Sequence, residues 1–206
     1  MNVLVVAGHP DDDAIGCGGT MIAHAQAGDE VHALYLTSGE KGGGDDEVAR
    51  GLLREGEAAM ATQYLGTKRL TFWRQPDYGA AATVESVTAM RRYIAGFAPC
   101  IVYVPHQDES HPDHRAAAKT VLLALENRNI EATVWAYEVW TPMAQFDRVE
   151  DITSHIGTKI AAIRAHLSQV DICRFDEGAY HLARWRGELH NRPHGPFAEV
   201  FRKIYP

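Results

Sequence analysis

The chain has 206 residues, enough for one domain with a substantial core. Its formal net charge of −7 argues against a nucleic-acid backbone or an anionic membrane as main partner, since both call for a basic surface. No apolar stretch approaches the ~20 residues of a membrane-spanning helix, and no basic, apolar, small-residue leader pattern opens the chain. Three widely spaced cysteines, Cys17, Cys100 and Cys173, suit neither a disulfide framework nor a cysteine zinc site, so the cytoplasm is the expected compartment.

The first element is an apolar run, Val3–Ala7, which reads as a strand. A helix over Ala14–Ala27 follows, closed by Gly28 and Asp29. Val31–Thr37 is a second strand, residues 41–46 (K-G-G-G-D-D) a loop, and Val48–Leu65 a helix ended by Gly66, although Gly51 and Gly56 work against it. Leu70–Trp73 reads as a strand, Thr83–Phe97 as a helix, Ile101–Val104 as a strand stopped by Pro105, and Pro112–Leu125 as a helix. Thr133–Val139 is a further strand and Ile156–Leu167 a helix, before a tail of mixed pattern. This alternation predicts a single α/β domain, Rossmann-like, with a mostly parallel sheet and helices on both faces. Its sites belong beyond the carboxyl ends of the strands.

At that edge the first strand runs into G-H-P-D-D-D-A-I-G-C-G-G-T. Pro10 favours an extended His9, so the imidazole can project from the strand end, and a turn would bring Asp12 towards it while Asp11 points elsewhere. One imidazole and one carboxylate begin a zinc site without completing it. The competing reading is helix capping, but one or two aspartates would suffice for that. The glycines could suggest a dinucleotide loop, yet the spacing is not G-x-G-x-x-G and phosphates would face carboxylates. Gly16, Gly18 and Gly19 read instead as positions where the helix approaches the sheet closely.

The second cluster is Ser110-His111-Pro112-Asp113-His114, after the Ile101–Val104 strand and the loop P-H-Q-D-E. Ser110 is a candidate helix cap with Asp113 reaching back, and Pro112 suits the first turn. His111 and His114 would share one helix face. One is placed to be a third ligand and the other to face the open coordination position. Four tryptophans, Trp73, Trp135, Trp140 and Trp185, could stack on sugar rings, but core packing is the expected role for most.

With L-V-V-A-G-H-P-D-D-D…G-C-G-G-T and H-P-D-H, the sequence resembles the PIG-L/LmbE-like family of zinc-dependent N-acetylglucosamine deacetylases. The likeness continues through L-T-S-G-E, R-E-G-E-A-A, Pro76-Asp77, K-x6-H-L-S-Q and F-A-E-V-F. It implies Zn2+ held by His9, Asp12 and His114, with Asp11 as general base. It implies that His111 stabilises the oxyanion or protonates the amine, with Asp113 orienting it and favouring its imidazolium. Arg54 is implied to bind substrate or intermediate, against a simpler reading as a surface pair with Glu57, and Asp77 to bind sugar hydroxyls. Asp13 stands where the family has glutamate. A small amino-sugar substrate and a homo-oligomer are the implied partners. An amidase on another acyl or thiol conjugate is an alternative. So is a metal- or sugar-binding module without catalysis, although Asp11 and His111 would then be superfluous.

Overall fold

Val3 to Ala7 are entirely buried, as expected of a strand covered on both faces. The computed structural model describes residues 1–126 and 131–205. In chain order these form β1 (Asn2–Ala7), α1 (Asp12–Gln26), β2 (Glu30–Tyr35), α2 (Glu47–Leu65), β3 (Arg69–Phe72), α3 (Val84–Phe97) and β4 (Ile101–Pro105). There follow α4 (Pro112–Leu125), β5 (Thr133–Tyr137), β6 (Arg148–Asp151), α5 (Ile156–Arg164), α6 (Leu167–Val170), α7 (Phe175–His190) and β7 (Ala198–Tyr205).

The strands form one sheet in the order β3-β2-β1-β4-β5-β7-β6. The five strands from β3 to β5 are parallel, whereas β7 runs antiparallel to both of its neighbours. Alternate residues of β1 face opposite layers: Val3 and Val5 pack with α1, α5 and α7, Leu4 and Val6 with α3 and α4. The expected α/β architecture with both faces covered is therefore present. The tail expected to be mixed is instead ordered, with α7 packed on β7, and β7 extends the sheet together with β6, a strand ahead of α5 that the sequence pattern did not mark.

Local chemistry sets the helix ends. Asp46 caps α2 by accepting from Ala49 N–H at 2.9 Å, and Gly66, in the left-handed region, ends it. Thr83 caps α3 through Ser86 N–H rather than joining it. Helix α1 kinks at Cys17, and the N–H groups of Gly19 and Thr20 beyond the kink both donate to the Glu199 carboxylate at 2.8 Å. Lys159 closes that arrangement with a 2.6 Å bond to Glu199, so β7 and α5 jointly hold α1 in its bent course. Gly16 is needed for close approach, because a Cβ there would lie 2.2 Å from the Tyr137 ring of β5.

Candidate metal centre and catalytic site

From β1 the chain builds β2 and β3 on one side of the sheet, then returns to place β4 on the other side. The crevice beyond the carboxyl ends of β1 and β4 is thus the point where strand order reverses, the usual ligand position in such sheets. His9–Asp13 leaves one strand there and His106–His114 the other. The two loops touch at Gly8, where a Cβ would sit 3.0 Å from the His114 ring and 3.2 Å from an Asp12 oxygen.

Donor atoms of three residues converge in this crevice. His9 Nδ1 lies 3.3 Å from His114 Nε2 and 3.5 Å from Asp12 Oδ2, and His114 Nε2 lies 3.2 Å from Asp12 Oδ1. Tetrahedral zinc with ligands at about 2.0–2.1 Å requires donors roughly 3.3–3.4 Å apart. The far ring nitrogens are engaged: His9 Nε2 faces Asp77 Oδ1 at 3.1 Å and Asp113 Oδ2 at 3.2 Å, and His114 Nδ1 faces Glu109 Oε2 at 3.3 Å. Donation outward from those nitrogens turns lone pairs inward towards the Asp12 carboxylate, a donor set that calls for a cation. Without a metal, protons take that place. Burial opposes charge on His114, but the Asp12 charge and hydrogen bond raise it to about 9. Burial likewise works against Asp12, yet the charge on His114 holds it well below the usual carboxylate range. A divalent metal fits these three residues. A His111 ring nitrogen also lies within 4.8 Å of those of His9 and His114. Its Nδ1, however, accepts the Asp113 N–H, so Asp12 makes the better third donor.

Asp11 stands apart from that triangle. Its backbone is in the left-handed region, φ 113°, a conformation costing a non-glycine residue about 1–3 kcal/mol. Arg54 NH2 donates to Asp11 Oδ1 at 3.1 Å and to the Pro10 carbonyl at 2.7 Å, and its NH1 donates to the Gly39 carbonyl. Burial pushes the Asp11 carboxyl up to about 7, with Arg54 opposing and Asp12 adding to the rise. Arg54 is buried and makes no pair with Glu57, which instead accepts from Ser168 N–H and Oγ. No side-chain cap bond forms at Asp11, Asp12 accepts the His9 N–H, and Asp13 accepts the Tyr35 hydroxyl, so the aspartate run is not a helix cap.

The second cluster differs from expectation in two respects. The residue capping α4 is His111, not Ser110. The Asp113 carboxylate turns away from His111, accepting Tyr78 N–H at 2.7 Å and Ala80 N–H at 3.1 Å as well as facing His9. Only the Asp113 backbone N–H meets His111, at Nδ1, which leaves Nε2 to carry the proton of a neutral ring. Burial, and then charge on His9 and His114, lower His111 to about 4, and Asp113 offsets this only in part. The imidazolium expected there is therefore not favoured. Asp77 lines the small cavity over the site, and its carboxylate faces His9 and accepts the Lys41 N–H.

Some residues were missed from sequence. Glu109 accepts N–H groups from Val139, Trp140 and Thr141 while facing His114 and His106; burial opposes its charge, but His106 and His114, and then those N–H groups, hold its carboxyl down to about 2. Its signal was a carboxylate directly before S-H-P-D-H. Tyr78, Trp140, Gln169 and Phe175 join His9, Asp11 and His111 around a cavity of about 90 Å³. Gln169 closes the K-x6-H-L-S-Q motif, to which no site role was attached, whereas Phe175 comes from the tail and carried no local signal. Trp140 and Trp185 are both largely exposed, against the core role expected for most tryptophans.

Residues 4–125, more than half of the chain and including all of these site residues up to His114, match the family model PIG-L: GlcNAc-PI de-N-acetylase. The chain belongs to the PIG-L family. This PIG-L chain is 30% identical over 194 residues to the diacetylchitobiose deacetylase of Thermococcus kodakarensis, with 81% of this chain and 69% of that protein covered. It is 25% identical over 240 residues to the 1D-myo-inositol 2-acetamido-2-deoxy-alpha-D-glucopyranoside deacetylase of Mycobacteroides abscessus, covering 86% and 84% respectively. Among solved structures, GalB, the 4-carboxy-2-hydroxymuconate hydratase of Pseudomonas putida KT2440, superposes with a TM-score of 0.87 over 100% of this chain and 96% of its own. At 23% identity that likeness shows the fold alone, and a PIG-L fold is compatible with more than one chemistry.

Proposed function

We propose that the chain is a zinc-dependent hydrolase removing the acetyl group from an N-acetylglucosamine-type sugar or its small conjugate. The observation carrying this is the triangle of His9, Asp12 and His114 with a clamped carboxylate, Asp11, beside it in the same cavity. The family match and the deacetylases among the relatives support the substrate class.

In this reading His9, Asp12 and His114 hold the metal, which when bound supplies Lewis acidity that acidifies water and polarises a carbonyl. Asp11 takes the proton of the attacking water as the C–O bond forms. Neutral His111 donates from Nε2 to the developing oxyanion. As the C–N bond breaks, Asp11 passes its proton to the departing amine, a return that a carboxyl raised by burial performs readily. Arg54 and Asp77 act by holding Asp11 and His9, and Asp113 by holding His9.

The net charge of −7 supports a small-molecule partner over nucleic acid, and no described helix is long and apolar enough to cross a membrane. A cytoplasmic homo-oligomer completes the reading. Exposed Val48, Leu52, Met60 and Tyr64, spaced four or eight apart along α2, support self-association, which sedimentation would test. The decisive assay is acetate and amine release from a panel of N-acetylglucosamine conjugates, with and without chelator and repeated with Asp11→Asn. Chelator-sensitive release that Asp11→Asn abolishes is expected. Binding without release in the wild type would mean a non-catalytic module.

A further inference from the structure

A second and larger cavity, about 390 Å³, opens on the same rim of the sheet. It lies between the start of α1, the segment after β5, helix α7 and the first half of β7, and it shares Trp140 and Phe175 with the small cavity over the donor triangle. These two rings are parallel to within 8°, with centroids 6.3 Å apart, and form the common wall. Apart from Ile15 and Gly16, every residue lining the second cavity lies outside the stretch that matches the family model. The catalytic cluster thus belongs to the family segment, whereas this space is built by the remainder of the chain.

The lining is apolar, with Ile15, Val139, Leu182, Ala183 and Val200 among it, and its charged groups are already paired. Lys159 bonds Glu199 and the Ile15 carbonyl, Arg186 bonds Glu138 and the Met143 carbonyl, and Arg174, at the exposed edge, pairs with Asp176 and Glu177. A charged occupant would find no free counter-charge there and would be strongly disfavoured. The small cavity, by contrast, has room for about three waters, enough for an acetamido group and little more. Trp140 is 47% exposed, so the route between the two cavities runs over the rim rather than through the interior. An arm following it leaves the substrate from its outer, sugar side.

Resting on the deacetylase reading above, the geometry points to a substrate whose sugar carries an uncharged apolar aglycone, which passes Trp140 and lodges in this second cavity. The aglycone, rather than the acyl group, then sets selectivity.

The test compares methyl and n-hexyl glycosides of N-acetylglucosamine, the methyl glycoside of N-hexanoylglucosamine, and two variants. Gly178 lines the cavity on α7, and a Cβ there meets nothing within 4 Å, so Gly178→Leu adds its side chain from an open position on the cavity wall. Ala179→Leu fills it from the next position. In the wild type, kcat/KM for the hexyl glycoside should exceed that for the methyl glycoside by about 10-fold or more, the scale of burying a few methylenes. Gly178→Leu should remove most of that advantage and leave methyl turnover unchanged. Equal rates for both glycosides, or preference for the N-hexanoyl compound, would overturn the inference.

If none of the glycosides is cleaved, the deacetylase reading fails, and calorimetry with the metal-free protein decides about the cavity separately. Hexyl glycoside binding that is weakened by both variants supports it. Equal affinity for hexyl and methyl glycosides refutes it.

Discussion

Arg54 holds Asp11 by a 3.1 Å bond to its carboxylate and a 2.7 Å bond to the carbonyl of the preceding Pro10. One guanidinium therefore fastens both the side chain and the strained backbone of the residue proposed as general base. Arg54→Ala should lower kcat at least as much as it lowers stability. Breaking a buried ion pair costs about 3–5 kcal/mol, and the freed carboxyl would rise further above about 7, shifting the acidic limb of activity upward. Arg54→Lys keeps the charge but not the fork and should recover only part of the rate. Full activity in Arg54→Ala at neutral pH would show that Asp11 needs no clamp.

Roles within the aspartate run are separable. Asp12→Ala should lose zinc by elemental analysis, as should His9→Ala and His114→Ala. Asp11→Asn should retain zinc and lose most of kcat. Retention of zinc by Asp12→Ala together with its loss in Asp11→Asn would exchange the two roles.

His111 should behave as a neutral donor. At about 4 it is uncharged throughout the working range, so kcat/KM should show no basic limb from an imidazolium near 6.5–7.5. His111→Ala should lose roughly 10²–10³-fold, as loss of an oxyanion donor does, and His111→Gln, which can still donate, should lose less. Equal losses in the two variants, with a basic limb that vanishes in both, would restore His111 as a proton donor.

Glu109 orients His114, so Glu109→Gln should weaken zinc binding by about 10–100-fold in a competition titration. The expected cause is loss of the charge that favours the outward Nδ1 proton. Unchanged affinity would reduce Glu109 to an organiser of the backbone at Val139–Thr141.

Metal and pH should be linked in opposite senses. His114 at about 9 is raised above its unfolded value near 6.5, so its contribution to stability is complete below about 6.5 and lost as pH rises through 9. Asp11 at about 7 and Asp13 at about 6, raised mainly by burial, act in the same direction from about pH 4 upward. The metal-free protein should therefore lose Tm between pH 6.5 and 9. Zinc requires neutral imidazoles, so its increment in Tm should grow over the same range. Thermal melts with and without chelator read both, and a zinc increment that shrinks with pH would contradict histidine ligation.

Much of this was legible in order along the chain. Hydrophobic runs bounded by glycine and proline marked β1 to β5 and the helices between them, and each H-P-D cluster followed a strand, which placed both on one rim. Convergence of His9 and Asp12 was accessible to such reasoning because a proline and a turn restrict where short side chains can point, whereas local spacing left His111 and His114 as alternatives and only the family resemblance implied His114 as the third ligand. The cap of β6, α7 and β7 was not, since an edge strand such as Arg148–Asp151 buries little and leaves a weak pattern. What only the tertiary structure decided is partnership across long separations. Pairing of β1 with β4 brought His9 within 3.3 Å of His114, 105 positions away, and turned Asp113 towards His9 rather than its neighbour His111. It also buried Arg54 against Asp11. Local spacing limits what a side chain can reach, but the choice among reachable partners falls to packing, because burial makes any unpaired charge too costly to leave.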